Sequence, residues 1–286
     1  MKNNHKILDM RCRPPYGNFM YKGPNLYFSL YDEESIEGFL RVCGSRMTET
    51  VKEKSMDLFF QEMDESGIDI GLLPVRAVTG SNHDEIITLL NQYPDRFIST
   101  CGIDPNIGIE KTIQLIDKLV VHGPFKGVGM EPILDSKLWL PNNREMMYPI
   151  YEKLQEENIP LMLTTGLYDD FGRNVLLGID EAAGDFPNLN FIAAHGGWPF
   201  ADLITAIAET HPNVYISPDL YFVNSGVCQT YIQAANHSCS KQILFGSAFP
   251  GCEMKYAVDF YMAHLRDEVI DDVLYNNAAR LFGLGK

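Results

Sequence analysis

The sequence has little positive charge. Its 23 lysine and arginine residues stand against 38 acidic residues, which gives a formal net charge of -15 and a pI near 4.8. Nucleic acids and anionic membranes attract proteins through basic surfaces, so this balance argues against both as partners. A small anionic molecule is a different case, because it responds to the local field of a pocket.

The chain also lacks paired cysteines and long apolar runs. Its six cysteines are scattered and contain no Cys-x-x-Cys pair, which indicates free thiols and not a disulfide framework. No stretch has the length and hydrophobicity of a transmembrane span, and the opening MKNNHKILDM has no apolar core of the signal-peptide type. We therefore predict a cytoplasmic protein.

Short apolar runs alternate with longer segments of helical period. Strand candidates are 7–11, 69–75, 97–102, 126–131, 159–164, 190–195, 213–217 and 242–247; helical candidates lie near 48–66, 83–93, 108–121, 143–157, 173–186, 199–211, 225–236 and 253–281, the last splitting near Asp267. Such alternation predicts an α/β fold, a (β/α)8 TIM barrel over a single domain, 1–286, with extra C-terminal helices. A doubly wound sheet is the alternative, but DMRCRPP is not the Gly-rich first turn it requires.

The first βα segment, 14–47, is unusually long and rich in tyrosine and phenylalanine. Long irregular segments at the top of a barrel often form lids or substrate walls. An extra helix over 33–42, packing its aromatic side chains on a neighbour, is an equal alternative. The same residues would suit a subunit interface, and we expect a homodimer or higher homo-oligomer.

Chemistry in a TIM barrel takes place at the carboxyl ends of the strands. Three arginines stand there: Arg11 and Arg13 after the first strand and Arg76 after the second. Arg11 and Arg13 are two residues apart, so strand alternation places both on one face. Clustered guanidinium groups favour an anionic guest, and their planar fork matches a carboxylate or phosphate.

Other polar residues end the neighbouring strands. We assign Glu131, Thr164 and Ser247 to the same substrate-binding group as the arginines. The alternative is that Asp9, Asp104 and Glu131 neutralise the arginines as internal ion pairs, which also occur without function. For Asp104, in GIDPN, an Asp-Pro turn is the ordinary explanation.

The candidate catalytic residues are His195 and Asp219. His195 follows the apolar run NFIAA and precedes two glycines, which leave room beside its ring for an acid or base role. A hydrogen bond to a loop carbonyl is the alternative, but the barrel context favours the functional role. Asp219 would assist in proton transfer or orient an arginine, whereas Cys12 and Cys101 are expected to be core thiols.

Three motifs connect the chain with a known family. The stretches AAHGG, ILFGSAFP and VLYNNAARLFGL resemble the amidohydrolase-related family of the amidohydrolase superfamily, and the resemblance runs from Ile7 to Leu284. It implies a TIM barrel similar to aminocarboxymuconate semialdehyde and resorcylate decarboxylases and to a pyrone-dicarboxylate lactonase. It also implies an oligomer, because family proteins are often dimers or larger.

The metal ligands that the resemblance implies are mostly replaced. The His-x-His pair of the first strand corresponds to Arg11 and Arg13, the fifth-strand histidine to Thr164 and the eighth-strand aspartate to Ala248. Of five positions only His195 remains. One imidazole cannot hold a Zn²⁺ ion that takes three or four protein ligands, so we predict no metal and no other cofactor.

The leading hypothesis is a metal-independent enzyme acting on a small carboxylate-bearing molecule, by lactonase-like hydrolysis or by decarboxylation. The arginines would hold the anion, His195 would act as acid or base and Asp219 would assist. A non-catalytic descendant that binds or senses a small anion is the alternative. A third hypothesis keeps a metal on an unusual set, His195, Asp219 and Glu131.

Overall fold

A computed structural model of the chain describes residues 5–16, 46–77, 83–166 and 169–285. The long first βα segment, 14–47, therefore lies outside the described residues except at its two ends. Its assignment as a lid, a substrate wall or a subunit interface stays a prediction.

The described ranges contain seven parallel strands in one sheet, and their spatial order follows the chain. They are β1 (Leu8–Asp9), β2 (Ile70–Pro74), β3 (Phe97–Gly102), β4 (Gly127–Met130), β5 (Leu161–Thr164), β6 (Phe191–Ala194) and β7 (Val214–Ser217). A doubly wound sheet would reverse its strand order at a switch point. The unbroken order excludes that alternative.

The eighth predicted strand, 242–247, is irregular, yet it closes the ring. On one side Leu244 donates its backbone N–H to the carbonyl of Ile216 in β7, at 2.9 Å. On the other side Met10, next to β1, donates to the carbonyl of Phe245, also at 2.9 Å. The segment thus joins the last strand to the first, and the fold is the predicted α/β TIM barrel.

Helices follow the strands as the sequence pattern predicts. They are α1 (Glu49–Glu53), α2 (Met56–Ser66), α3 (His83–Gln92), α4 (Ile109–Ile116), α5 (Arg144–Glu156), α6 (Asp170–Asp185), α7 (Ala201–Thr210), α8 (Leu220–Asn224), α9 (Cys228–Asn236), α10 (Met254–His264), α11 (Asp267–Asp271) and α12 (Asn277–Leu281). The gap between α10 and α11 confirms the split near Asp267. Across the described ranges, no helix combines the length and the apolar character needed to cross a membrane.

Strand alternation divides the apolar side chains into two cores. In β2, Leu72 belongs to one cluster and Leu73 to the other; Met162 and Leu163 of β5 divide in the same way. The smaller cluster contains side chains of several strands together with the α12 region, including Phe282 just beyond it. It is the filled barrel interior, and the larger cluster joins the barrel to the helices.

A buried polar contact also holds the closing segment against β1. The carboxylate of Asp9, fully buried, accepts hydrogen bonds from the backbone N–H of Ser247 at 2.9 Å and from its hydroxyl at 2.5 Å. It also accepts from the backbone N–H of Arg11 at 2.9 Å. Burial raises the pKa of Asp9, although these donors act in the opposite direction.

We predict that Ser247→Ala lowers the free energy of unfolding by about 1–3 kcal/mol, because a buried carboxylate oxygen of Asp9 loses its hydroxyl donor. Urea denaturation measures the change. Thr88→Ala is the control, since Thr88 is a surface residue whose hydroxyl bonds within its own helix, and its effect should stay within about 0.5 kcal/mol. Equal effects of the two substitutions would contradict a role of Ser247 in closing the barrel.

Candidate active site

Six of the predicted site residues lie at or just beyond the carboxyl ends of their strands, where parallel strands bring them to one face of the barrel. The structure divides them into two groups. The histidine cluster consists of Arg11, His195 and Asp219, and the glutamate cluster consists of Arg76, Glu131 and Thr164.

The histidine cluster is built around the fully buried carboxylate of Asp219. Nδ1 of His195 lies 3.2 Å from Oδ1 and 2.9 Å from Oδ2 of this carboxylate. The Nε atom of Arg11 lies 3.6 Å from Oδ2. Because an ionised carboxylate can only accept hydrogen bonds, the His195 proton is on Nδ1 and Nε2 keeps its lone pair.

The surroundings keep the His195 ring neutral. Burial lowers the pKa of His195 to about 4; the positive charge of Arg11 lowers it too, and Asp219 acts in the opposite direction. The side chain still retains 19% of its exposure. At neutral pH it is therefore an uncharged imidazole, held in one tautomer and still partly exposed.

The backbone around these residues is strained. His195, Asp219 and Ala248 all have left-handed φ angles, of 65°, 45° and 59°. These residues follow β6, β7 and the closing segment, so the unusual conformation recurs at successive strand ends. Non-glycine residues in such conformations cost about 1–3 kcal/mol each and concentrate at functional sites.

An aromatic wall that the sequence interpretation missed stands beside His195. The ring of Tyr221 contacts the imidazole edge-on, with centroids 5.8 Å apart, and stacks on Trp198 at 5.0 Å. The available signal was position: Trp198 directly follows the two glycines after His195, and Tyr221 is two residues beyond Asp219. Both rings are partly exposed, so they can contact a bound molecule.

In the glutamate cluster an internal ion pair is present. Oε1 of Glu131 lies 2.5 Å from Nε of Arg76 and accepts a hydrogen bond from the Thr164 hydroxyl at 2.9 Å. Glu131 thus orients an arginine, as the ion-pair alternative allowed.

The contacts of the other two acids in that alternative are different. Those of Asp9 are with Ser247 and the Arg11 backbone, and Asp104 caps the turn Pro105–Ile107 and accepts the backbone N–H of Ser136 at 3.0 Å. Ser247, predicted to bind substrate, is likewise engaged with Asp9.

The first strand ends before Arg11 and Arg13, so their placement differs from the predicted one. The strand is shorter than 7–11 and ends at Asp9, so both arginines lie beyond it. The chain between the two arginines nevertheless stays hydrogen-bonded to β2, since the backbone N–H of Cys12 donates to the carbonyl of Leu72 at 3.0 Å. Burial lowers the pKa of Arg13, and the positive charges of Arg11 and Arg76 lower it further. The three guanidinium groups therefore lie close enough to repel one another.

The cysteines are as predicted. Cys12 and Cys101 are fully buried in the core, and the described cysteines Cys12, Cys101, Cys228, Cys239 and Cys252 are all free thiols. Burial raises the pKa of Cys101 to about 12, which keeps it protonated and unreactive.

The guanidinium of Arg11 belongs to the histidine cluster and also faces residues of the glutamate cluster across a small cavity. Arg11 is 2% exposed, and neither its Nε nor its Nη2 has a hydrogen-bond acceptor among the described residues. It lines an internal cavity of about 10 Å³ together with Arg76, Glu131 and Thr164, close to the least volume that admits one water molecule. Burial lowers the pKa of Arg11 to about 10, so it stays charged at neutral pH.

The donor set does not fit a divalent metal. The positions that would supply ligands hold Arg11, Arg13, Thr164 and Ala248, and fixed positive charge repels a cation. Within the described ranges, no three His, Cys, Asp or Glu side chains gather as a metal would require. The unusual set His195, Asp219 and Glu131 is divided between the two clusters and does not form a metal site either.

Comparison with known proteins gives one family. Residues 54–284 match the family model described as Amidohydrolase. No curated protein matches the chain.

Solved structures share the fold over nearly the whole chain. An uncharacterised TIM-barrel protein from Bordetella bronchiseptica is 27% identical, with a TM-score of 0.84, covering 98% of this chain and 99% of that one. A 2,6-dihydroxybenzoate decarboxylase is 15% identical, with a TM-score of 0.68 and coverages of 98% and 100%. A probable 2-pyrone-4,6-dicarboxylic acid hydrolase from Acinetobacter baumannii is 14% identical, with a TM-score of 0.64 and coverages of 97% and 99%.

We predict that NMR titration of the His195 ring gives a pKa of about 4. Arg11→Gln should raise this pKa, because it removes a repelling positive charge. Asp219→Asn should lower it, because it removes the carboxylate that stabilises the imidazolium. The exposed His122 provides the reference signal, which should not move between variants. A wild-type His195 pKa near the ordinary value of 6.5 would contradict the buried, neutral histidine.

Proposed function

This chain belongs to the amidohydrolase family, and from that premise we propose that it is a metal-independent hydrolase acting on a small molecule that carries a carboxylate. The observation that carries the proposal is the buried Arg11, with unsatisfied donors, next to the His195–Asp219 pair. A guanidinium with donors to offer and an oriented imidazole thus meet at one carboxylate, that of Asp219.

The donor geometry of Arg11 supports a carboxylate as the group that the site binds. Arg11 offers Nε and Nη2, which are adjacent donors of one guanidinium and fit the two oxygens of a carboxylate. Arg13 and Arg76 add positive charge close by. A bound anion would relieve the repulsion among the three groups, so its binding is favoured by the charge already present.

The neutral His195 supports hydrolysis over decarboxylation. A lactonase-like step needs a base: Nε2 takes a proton from water as the water oxygen attacks the substrate carbonyl carbon. Asp219 stabilises the imidazolium that forms, and a guanidinium stabilises the oxyanion. The imidazolium then returns its proton to the departing oxygen as the carbon–oxygen bond breaks. Decarboxylation would need an acid at the start, which a histidine with a pKa of about 4 does not supply at neutral pH.

The proposal predicts hydrolysis of at least one carboxylate-bearing lactone or ester, after dialysis against EDTA. The panel also contains β-keto acids, and turnover of these alone would indicate decarboxylation and contradict the proposal. His195→Gln should lower kcat by about 10²–10⁴-fold, since it removes the base. His122→Gln, an exposed substitution, is the control and should not change kcat.

Three further outcomes would contradict the proposal. Restoration of a lost activity by zinc or manganese would refute metal independence, and full turnover by the His195→Gln protein would refute the assigned base. Tight binding of a carboxylate without turnover of any member of the panel would instead favour the non-catalytic, anion-sensing alternative.

Arg11 provides a separate test of the anion site. In calorimetric titrations with succinate and phthalate, Arg11→Gln should weaken binding by about tenfold to a hundredfold, because a charge-assisted hydrogen bond contributes about 1.5–3 kcal/mol. Arg144→Gln is the matched control, since Arg144 pairs with Glu181 on the surface. Equal affinities of the two variants would place the anion elsewhere.

A further inference from the structure

The backbone turn that carries His195 needs external support. His195, Gly196 and Gly197 are consecutive residues in the left-handed region, with φ angles of 65°, 59° and 69°. Glycines adopt this conformation readily, but His195 has a Cβ atom, which makes it unfavourable by about 1–2 kcal/mol. Such a turn persists only where surrounding contacts determine it.

One hydroxyl group connects the two ends of this turn. Thr165, the residue after β5, donates from Oγ1 to the carbonyl of Ala194 at 2.5 Å and accepts from the backbone N–H of Gly197 at 2.9 Å. Its own backbone N–H also donates to the Ala194 carbonyl, at 3.1 Å. Thr165 therefore binds the residue before His195 and the residue two positions after it.

We propose that Thr165 is a positioning residue, whose hydroxyl fixes the left-handed turn and thereby holds the His195 ring against Asp219. The inference rests on the proposed function only in taking His195 as the base. Thr165 is 1% exposed, and its hydroxyl bonds the turn, whereas that of the neighbouring Thr164 bonds Glu131. Thr165 acts through His195 and is not itself a catalytic residue.

Close packing leaves the turn few alternatives. A Cβ atom on Gly166 would lie 3.2 Å from the Cβ of His195, and one on Gly197 would lie 2.9 Å from Leu176. Tyr231 gives a second support, since its hydroxyl donates to the carbonyl of Gly196 at 2.8 Å. Packing on its own does not provide a partner for the Gly197 N–H, which Thr165 does.

Two substitutions separate the hydroxyl from the shape of the side chain. Thr165→Val keeps the branched shape and loses both hydroxyl hydrogen bonds. Thr165→Ser keeps the hydroxyl and loses only a methyl group. If the hydroxyl positions His195, valine should disturb the ring and serine should not.

The experiment measures the ring and the reaction in the full-length protein. Nitrogen-15 NMR reports the His195 tautomer and pKa, and kinetics use whichever substrate of the panel is turned over. For Thr165→Val we expect loss of the uniform Nδ1–H tautomer, a pKa that rises towards the ordinary value as the ring leaves its buried site, and at least a tenfold lower kcat with KM within twofold. Thr165→Ser should stay within threefold of the wild-type kcat and keep the wild-type tautomer.

An unchanged His195 tautomer and pKa in the valine variant would overturn the inference, whatever its activity. That outcome is distinct from failure of the proposed function, which is decided by turnover in the His195→Gln protein. If the valine variant does not fold, Thr165→Ala replaces it with the same expected NMR changes, and unchanged spectra would again overturn the inference.

Discussion

The site depends on one buried carboxylate, that of Asp219. It lies between the guanidinium of Arg11, whose Nε is 3.6 Å from Oδ2, and Nδ1 of His195, which is 2.9 Å from the same oxygen. A buried ion pair contributes little net stability, but removing one partner leaves an uncompensated charge that costs several kcal/mol. Position and protonation of the three groups are therefore linked, and a change in any one of them alters the other two.

The same linkage explains how arginines can stand where the family resemblance implies metal ligands. A metal polarises a carbonyl or activates water. Guanidinium groups hold an anion and stabilise developing negative charge, but they do not make a nucleophile of water. Activation of water then needs a base, and burial beside Arg11 leaves His195 as a neutral one. In the proposed function, the anion site and the base are thus two consequences of one charge arrangement.

Barrel closure and the site are also physically connected. The Asp9–Ser247 contact holds the closing segment against β1, Asp9 also binds the backbone N–H of Arg11, and Thr165 joins β5 to the turn after β6. These hydrogen bonds cross between strands and restrain the strand ends where left-handed residues occur. The barrel therefore supplies the restraint that keeps strained residues in place, which an isolated loop would not provide.

Local pattern was enough to locate most of the helices and strands, although the first strand is shorter than predicted and the eighth is irregular. Strand β3 begins and ends as predicted, at 97 and 102, and Cys12, Cys101 and Asp104 lie in the expected surroundings. Apolar periodicity and turn chemistry act over a few residues, so the sequence displays them directly. Only the tertiary structure decided which side chains pair. Arg11 pairs with Asp219, Asp9 accepts a hydrogen bond from Ser247, and Thr165 supports the His195 turn. Those contacts join residues far apart in the chain through strained turns, and no local pattern encodes the angle at which a side chain leaves such a turn.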